Sequence, residues 1–368
     1  MKRDYPPLWI GALLVFLAVV WRMMGAPLTG AEWADVKTPL WQARVLTPSR
    51  MERIFLLWMP GERAVGADTL MEGDDPDGAE LVRRNSTDQI KLKVHTAGGI
   101  ATMPLESYVC GVVAAEMPAS YHLEALKAQA VAARTRAVCQ KESGGCRSYP
   151  GADICDDSGC CQGYASMTEC REKWGDETEF YRQRIIGAVE ETMGWIMTYE
   201  GEPITVMYHA MSGGKTEDAA AVFSQPLPYL VSVESRGEEG ARGFFTETTF
   251  TYEQMAAAVN GSIPGMDVSA DELRRSFSIT EYTDSGRVRQ VSMGDALVEA
   301  ASLRKALGLR STWFSIASDG EGVTFQQRGY GHGVGMSQVG ANSMAASGST
   351  CGQILLHYYP GVKIGLRE

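Results

Sequence analysis

Leu123-Glu-Ala-Leu-Lys-Ala-Gln-Ala-Val-Ala-Ala-Arg-Thr-Arg-Ala-Val-Cys139 decides how the rest of the chain is read. Pro118 stands just before this stretch. Leu123, Leu126, Ala130, Ala133 and Ala137 recur at helical spacing, so residues 119–139 predict a helix with an apolar stripe. Lys127 and Arg134 are seven positions apart, about 20° short of full alignment at 3.6 residues per turn, and share one face. One reading of the pair is a solvated basic face. The other is a functional cation turned inward, because the alanines around Arg134 let other backbone pack closely. Immediately upstream, Val112-Val-Ala-Ala-Glu-Met-Pro118 sets one carboxylate, Glu116, in an apolar run. A buried glutamate needs partners. Desolvation raises its pKa, which suits a general acid near neutral pH. The ordinary alternative is an exposed residue favoured by the dipole at the start of the next helix.

Working outward, period-two alternation predicts strands over 90–94 and 100–105 with a turn at Gly98-Gly99. A helix follows over 179–192, then strands over 195–199 and 204–209. Helices over 252–259 and 270–277 belong to a smaller lobe, with β-like alternation over 282–291 and 311–325. Further helices fall over 296–307, 337–347 and 351–358. This mixture predicts an α+β domain of two lobes around a central cleft, with Glu116 and the 119–139 helix on one wall.

The N-terminus indicates the compartment. Lys2 and Arg3 precede an uncharged stretch over 5–21, closed by Arg22. Trp9 and Trp21 suit the membrane interface, and the positive end stays in the cytoplasm. The reading is a membrane anchor within 1–31, a membrane-proximal segment over 32–89 and a catalytic domain over 90–368 outside the cytoplasm. A cleaved signal peptide is the rival, although Pro27 directly after Gly25-Ala26 disfavours cleavage there.

The 368 residues, 45% hydrophobic and 21% charged, exclude wholesale disorder. A net charge of -11 argues against a nucleic-acid binder, and an anionic polymer would need a locally cationic site. Forty glycines exceed the usual share of about 7%. Several fall in Tyr208-His-Ala-Met-Ser-Gly-Gly214 and in Gly329-Tyr-Gly-His-Gly-Val-Gly-Met336. The second run fits neither the dinucleotide fingerprint nor a P-loop. These stretches offer His209, Ser212, Tyr330 and His332 as cleft residues, against the alternative of a tight glycine corner. His95, His122 and His357 read as ordinary histidines.

Six of the eight cysteines lie between Cys139 and Cys170, spaced Cys139-x6-Cys146-x8-Cys155-x4-Cys160-Cys161-x8-Cys170. The spacing lacks the paired C-x2-C pattern of many zinc sites. Disulfides compete with a metal site in an exported chain.

Several ordered blocks together resemble the SpoIID/LytB family. They are 105–118, 124–135, Ala152-Asp-Ile-Cys155 with Cys161-Gln162, 208–214, 329–341 and His357-Tyr-Tyr-Pro-Gly361. The resemblance covers about 90–366. It implies a membrane-anchored lytic transglycosylase of endospore formers, acting between mother cell and forespore during engulfment. Such enzymes cleave peptidoglycan glycan strands stripped of stem peptides and leave 1,6-anhydro-N-acetylmuramyl ends. They work beside a companion amidase/endopeptidase and a multispanning membrane protein. By position the resemblance gives Glu116 the acid role and assigns Lys127, Arg134, His209 and Ser212 to the surroundings of the site. It also implies zinc near the glutamate, on two cysteines and two histidines. Cys155 and Cys161 match the cysteines, but the histidine positions carry Tyr149 and Cys160. The expected set is therefore Cys146, Cys155, Cys160 and Cys161. Arg136 is a second departure, standing where the family tends to carry an aromatic residue. Two readings of other classes remain: a non-catalytic glycan-binding scaffold of an engulfment complex, and a zinc hydrolase.

Overall fold

The computed structural model describes residues 90–223 and 226–367. The expected anchor and the 32–89 segment lie outside them. Among the described residues no helix is long and apolar enough to cross a membrane.

In chain order the elements are β1 (Lys91–Thr96), β2 (Gly99–Pro104), α1 (Leu105–Glu116), α2 (Leu123–Glu142), β3 (Ile154–Cys155), α3 (Met167–Trp174), a short 3-10 turn, α4 (Thr178–Glu191), β4 (Trp195–Tyr199), β5 (Glu202–Pro203), β6 (Tyr208–His209), α5 (Ala219–Phe223) and β7 (Phe245–Thr251). There follow α6 (Tyr252–Ser262), α7 (Ala270–Ser276), β8 (Ser278–Tyr282), β9 (Val288–Met293), β10 (Ala296–Glu299), α8 (Ala300–Leu307), β11 (Phe314–Ser318), β12 (Gly322–Arg328), β13 (Met336–Ser337), α9 (Gln338–Ala346), α10 (Cys351–Tyr358) and β14 (Lys363–Leu366). The fold is α+β, with several small sheets.

Two hydrophobic clusters carry it. The larger is built around α2, which packs against α1, α4, α9, α10 and β4. Neighbours on several sides bury nearly every residue of 125–138, so the expected single stripe is replaced by burial all round. Alanines make this possible by letting helix axes approach. The smaller cluster lies between the antiparallel sheets β11-β12-β7 and β10-β9-β8 and the helices α6, α7 and α8.

Sequence periodicity missed α1. Its valine-rich run is apolar on every side, and such runs do not distinguish a helix from a buried strand. The helix stops at Met117, whose extended backbone is what the residue before Pro118 prefers. The expected helix over 296–307 divides instead. Residues 296–299 form β10, paired with β9 across a turn at Gly294, and only the remainder is helical. Of the expected strand over 204–209, only β6 is a strand. It pairs in parallel with β13, Tyr208 opposite Met336 and His209 opposite Ser337.

That pairing explains the alternating glycines. Gly329, Gly331, Gly333 and Gly335 all have positive φ. A Cβ on Gly331 would lie 2.8 Å from the His209 Cβ, and one on Gly335 would collide with the Met207 carbonyl. The run is a tight corner against the protein's own 207–213 backbone.

Candidate functional site

Glu116 is the last residue of α1, where the chain leaves a buried helix for a half-buried position. The Gly163 N–H donates to its Oε1 at 2.7 Å. Burial pushes the carboxyl pKa above the ordinary range. Opposing that push are the Gly163 amide, the Arg136 guanidinium, the Gln338 side chain and the Tyr208 hydroxyl. None of these principal partners is a carboxylate. Glu116 thus stands at a helix C-terminus, not at the start of the next helix, and the negative end of the dipole adds to its proton affinity.

A polar chain fixes the surroundings. Gln162, fully buried, donates to the Tyr108 hydroxyl (3.3 Å) and the Ala133 carbonyl (3.2 Å), and accepts from the Tyr208 hydroxyl at 2.9 Å. The Gln338 side chain donates to Gln129 at 3.4 Å. Arg136 is half-buried. Its Nη1 donates to the Val206 carbonyl at 2.9 Å and lies 3.6 Å from the Met207 sulfur. Gln162 and Gln338 carried no sequence signal beyond their place in the matched blocks, since their partners lie 29–54 and 209 positions away.

The loop that ends at Gly163 carries four thiols. Cys146, Cys155, Cys160 and Cys161 place their sulfur atoms within 4.8 Å of one another. Cys146–Cys160, Cys161–Cys146 and Cys161–Cys160 are 3.7, 3.8 and 3.7 Å apart. Sulfurs about 2.3 Å from a tetrahedral zinc would stand roughly 3.8 Å apart, so the donor set fits that ion. Among the described residues no cysteine is in a disulfide. The Ser148 hydroxyl, 3.2 Å from the Cys160 sulfur, helps draw that thiol down to about 7, while burial lifts Cys161 to about 11. Tyr149, at an expected histidine position, stacks on His95 with ring centroids 3.6 Å apart.

The structure does not bring Lys127 and Arg134 to Glu116 as binding groups. Arg134 is fully buried and forms a two-pronged pair with Glu106, Nε to Oε1 at 2.8 Å and Nη2 to Oε2 at 2.7 Å. Its Nη1 donates to the Trp195 carbonyl at 3.1 Å. It is a structural cation with no face for a substrate. Lys127 bridges Glu124 and Glu191, 2.6 Å from each, and its charge is committed to them. Sequence reasoning named the right inward cation and missed its partner, because Glu106 lies 28 residues upstream in a helix that was not recognised.

Ser212 is also internal. Its hydroxyl donates to both Glu238 oxygens at 2.9 Å, joined there by the Gly213 N–H and the hydroxyls of Ser235 and Ser337. This wholly buried carboxylate pins the Ser-Gly-Gly turn. His209 and His332 lie side by side, ring centroids 5.6 Å apart. The Val334 carbonyl, 3.1 Å from His209 Nδ1, only accepts, so that nitrogen carries the proton; the Val334 N–H donates to His332 Nδ1 at 3.1 Å, so the proton there is on Nε2. Burial keeps both neutral, His209 well below its usual range and His332 down at about 4. Tyr330 is exposed, with the Arg310 guanidinium 4.2 Å from its ring centre. The structure therefore groups Glu116 with Tyr208, Gln338, Arg136 and the four-thiol loop; His209 follows Tyr208 on β6, and the His332 ring lies beside it, within reach of the Arg136 charge.

The α+β scaffold thus holds a half-buried glutamate whose pKa is raised by burial, with no carboxylate among its principal neighbours and a thiol cage adjoining it. Comparison with known proteins gives the lineage. The family model "SpoIID: Stage II sporulation protein" matches residues 93–199, which contain Glu116 and the thiol loop. The chain is 36% identical over 265 residues to Stage II sporulation protein D of Bacillus subtilis (strain 168), covering 72% of this chain and 75% of that one. It is 34% identical over 287 residues to Stage II sporulation protein D of Bacillus amyloliquefaciens, covering 78% and 81%. It is 27% identical over 301 residues to the amidase enhancer of Bacillus subtilis (strain 168), covering 69% of this chain and 40% of that one. The chain belongs to the SpoIID family.

Proposed function

We propose that the protein is a peptidoglycan lytic transglycosylase that cleaves glycan strands freed of stem peptides during spore engulfment, with Glu116 as the acid and base. The observation that carries this reading is the isolation of Glu116: a carboxyl whose pKa is raised by burial, with no carboxylate among its principal neighbours. A retaining hydrolase would need a second carboxyl about 5–5.5 Å away as nucleophile. A transglycosylase does not. Glu116 gives its proton to the oxygen of the breaking glycosidic bond, and the muramyl 6-hydroxyl attacks its own anomeric carbon. That hydroxyl's proton passes to Glu116, so no water is consumed and a 1,6-anhydro ring closes. The Gly163 N–H orients the carboxyl and favours its charged form once the proton has left.

The four cysteines Cys146, Cys155, Cys160 and Cys161 are the residues that would hold zinc. Four thiolates fill a tetrahedron, the closed arrangement of structural sites, so the ion would supply rigidity to the loop that presents Gly163 to Glu116. This donor set weighs against the zinc-hydrolase reading, which needs an open coordination position. The remaining parts of the proposal are an N-terminal membrane anchor, action between mother cell and forespore, and companion proteins, an amidase/endopeptidase and a membrane protein. The similarity to an amidase enhancer supports a place in cell-wall remodelling.

Product analysis on stem-peptide-free strands tests the reaction. The wild type should release anhydro ends, lighter than hydrolytic ends by one water. Glu116→Gln should lower the rate about 10²–10⁴-fold. Equal release by the variant would overturn Glu116 as the acid and base, and no release by the wild type would leave the scaffold reading.

A further inference from the structure

We propose that Arg304, Arg310 and Arg328, interleaved with Tyr330, Trp313 and Phe245, form a track that binds the length of an anionic glycan strand beyond the bond being cut. The proposal rests on the glycan reading above and assigns it a second, extended contact surface.

The residues are physically continuous. Arg304 Nε donates to the Arg310 carbonyl at 3.2 Å, and the Arg310 guanidinium covers the Tyr330 ring at 4.2 Å. Arg328, two positions before Tyr330, lies 5.2 Å from the Phe245 ring centre and 5.7 Å from that of Trp313. The track meets the Glu116 site at His332, whose ring feels the charges of both Arg304 and Arg136. Arg136 in turn acts on Glu116.

Two features distinguish this strip from an ordinary surface. First, none of the three track arginines is in an ion pair among the described residues, whereas Arg134, Arg182, Arg274 and Arg289 all are. Apart from Arg304 Nε, no guanidinium nitrogen of the three has a hydrogen-bond partner among the described residues. On a chain of net charge -11 these are cations left without counter-charges. Second, two of the three rings are open, Phe245 63% and Tyr330 46% exposed, while Trp313 is half-buried with the Arg287 guanidinium 4.9 Å from its ring centre. Flat rings flanked by free guanidinium groups match a polymer that alternates apolar sugar faces with carboxylates. A strand stripped of its peptides is such a polymer, because each muramic unit then bears a free lactyl carboxylate. Arginine is suited to that contact, since its fork matches a carboxylate in two bonds.

The test is cosedimentation of the full chain with insoluble peptide-free strands. It compares strands with free carboxyl groups against the same strands with carboxyls converted to methyl amides. The double variant Arg310→Gln/Arg328→Gln should bind free-acid strands about tenfold more weakly, and amidated strands as the wild type does. Tyr330→Ala should weaken binding to both. Circular dichroism melting checks that the substitutions, two at exposed positions and one at the half-buried Arg310, leave the fold intact. Unchanged binding of free-acid strands by the folded double variant overturns the track, and points to a protein partner as the occupant of this face. An equal loss on acid and amidated strands overturns the carboxylate contact. The enzyme reading fails separately. If arginine-dependent binding is found while the wild type releases no anhydro ends, the track stands and the transglycosylase does not.

Discussion

The two ends of α1 carry one glutamate each, and the fold treats them oppositely. At the first turn, Glu106 meets Arg134 in a dry, two-pronged ion pair. At the last, Glu116 receives one main-chain N–H and faces Arg136, an arginine only two residues further along α2, without ion-pairing to it among the described residues. The same residue types on the same two helices give a closed bond at one end and an unfinished one at the other. Desolvation without an ion-pair partner raises a carboxyl's proton affinity, at a cost in stability. The fold concentrates that cost where chemistry is proposed and closes the electrostatics elsewhere.

The strongest way to break the comparison is to open the closed end. Arg134→Met leaves Glu106 buried without its partner. Chemical denaturation should show a loss of about 3–5 kcal/mol. A loss under about 1 kcal/mol would mean that the Glu106 end is no more closed than the other.

Disturbing the open end should cost activity and little stability. A Cβ on Gly163 would lie 3.1 Å from Glu116 Oε1, tighter than the carboxyl accepts without shifting. Gly163→Ala should lower turnover about tenfold through misplacement, with the melting temperature nearly unchanged. A variant that unfolds instead would make Gly163 a structural residue like Arg134.

A smaller effect is expected from stability against pH. Because burial raises the Glu116 pKa in the folded state, its contribution is fully present below the unfolded carboxyl value and is lost as pH rises through the folded one. Glu116→Gln should therefore match the wild type in acid and exceed it in thermal stability at neutral pH. A wild type that is the more stable at neutral pH would show Glu116 to be paired after all.

The smallest expected change is none. His209 and His332 should show no titration between pH 5 and 8 in NMR spectra, since burial holds both below that window. A midpoint within it would turn the histidine pair into a second proton carrier.

These contrasts also mark what the sequence made legible. The α2 helix, β4 and α10 were readable because local pattern and final environment agree there. The α1 helix was not, since a run buried on all sides has no period. The four thiols followed from the resemblance and their crowding, and the structure brings those four together. Glu116 stood out as a charge in apolar sequence. The carboxylates that hold Lys127 and Arg134 were hidden for a different reason. A cation's function depends on which carboxylates reach it, and Glu191 and Glu106 are 64 and 28 positions away. Arg136 was visible only as an oddity, because nothing local shows which of two neighbouring arginines is already paired.

The main chain of Val334 fixes both histidine tautomers, through its carbonyl and its N–H alone. Substitution scanning cannot delete those groups. A scan would record sensitivity at His209 and His332 and, at 334, only the effect of side-chain volume. The hold would surface one step removed, at Gly333 and Gly335, which share the two peptide planes that carry the Val334 N–H and carbonyl and both have positive φ. Mutational tolerance in this corner therefore maps the backbone's neighbours and leaves the group that does the holding blank.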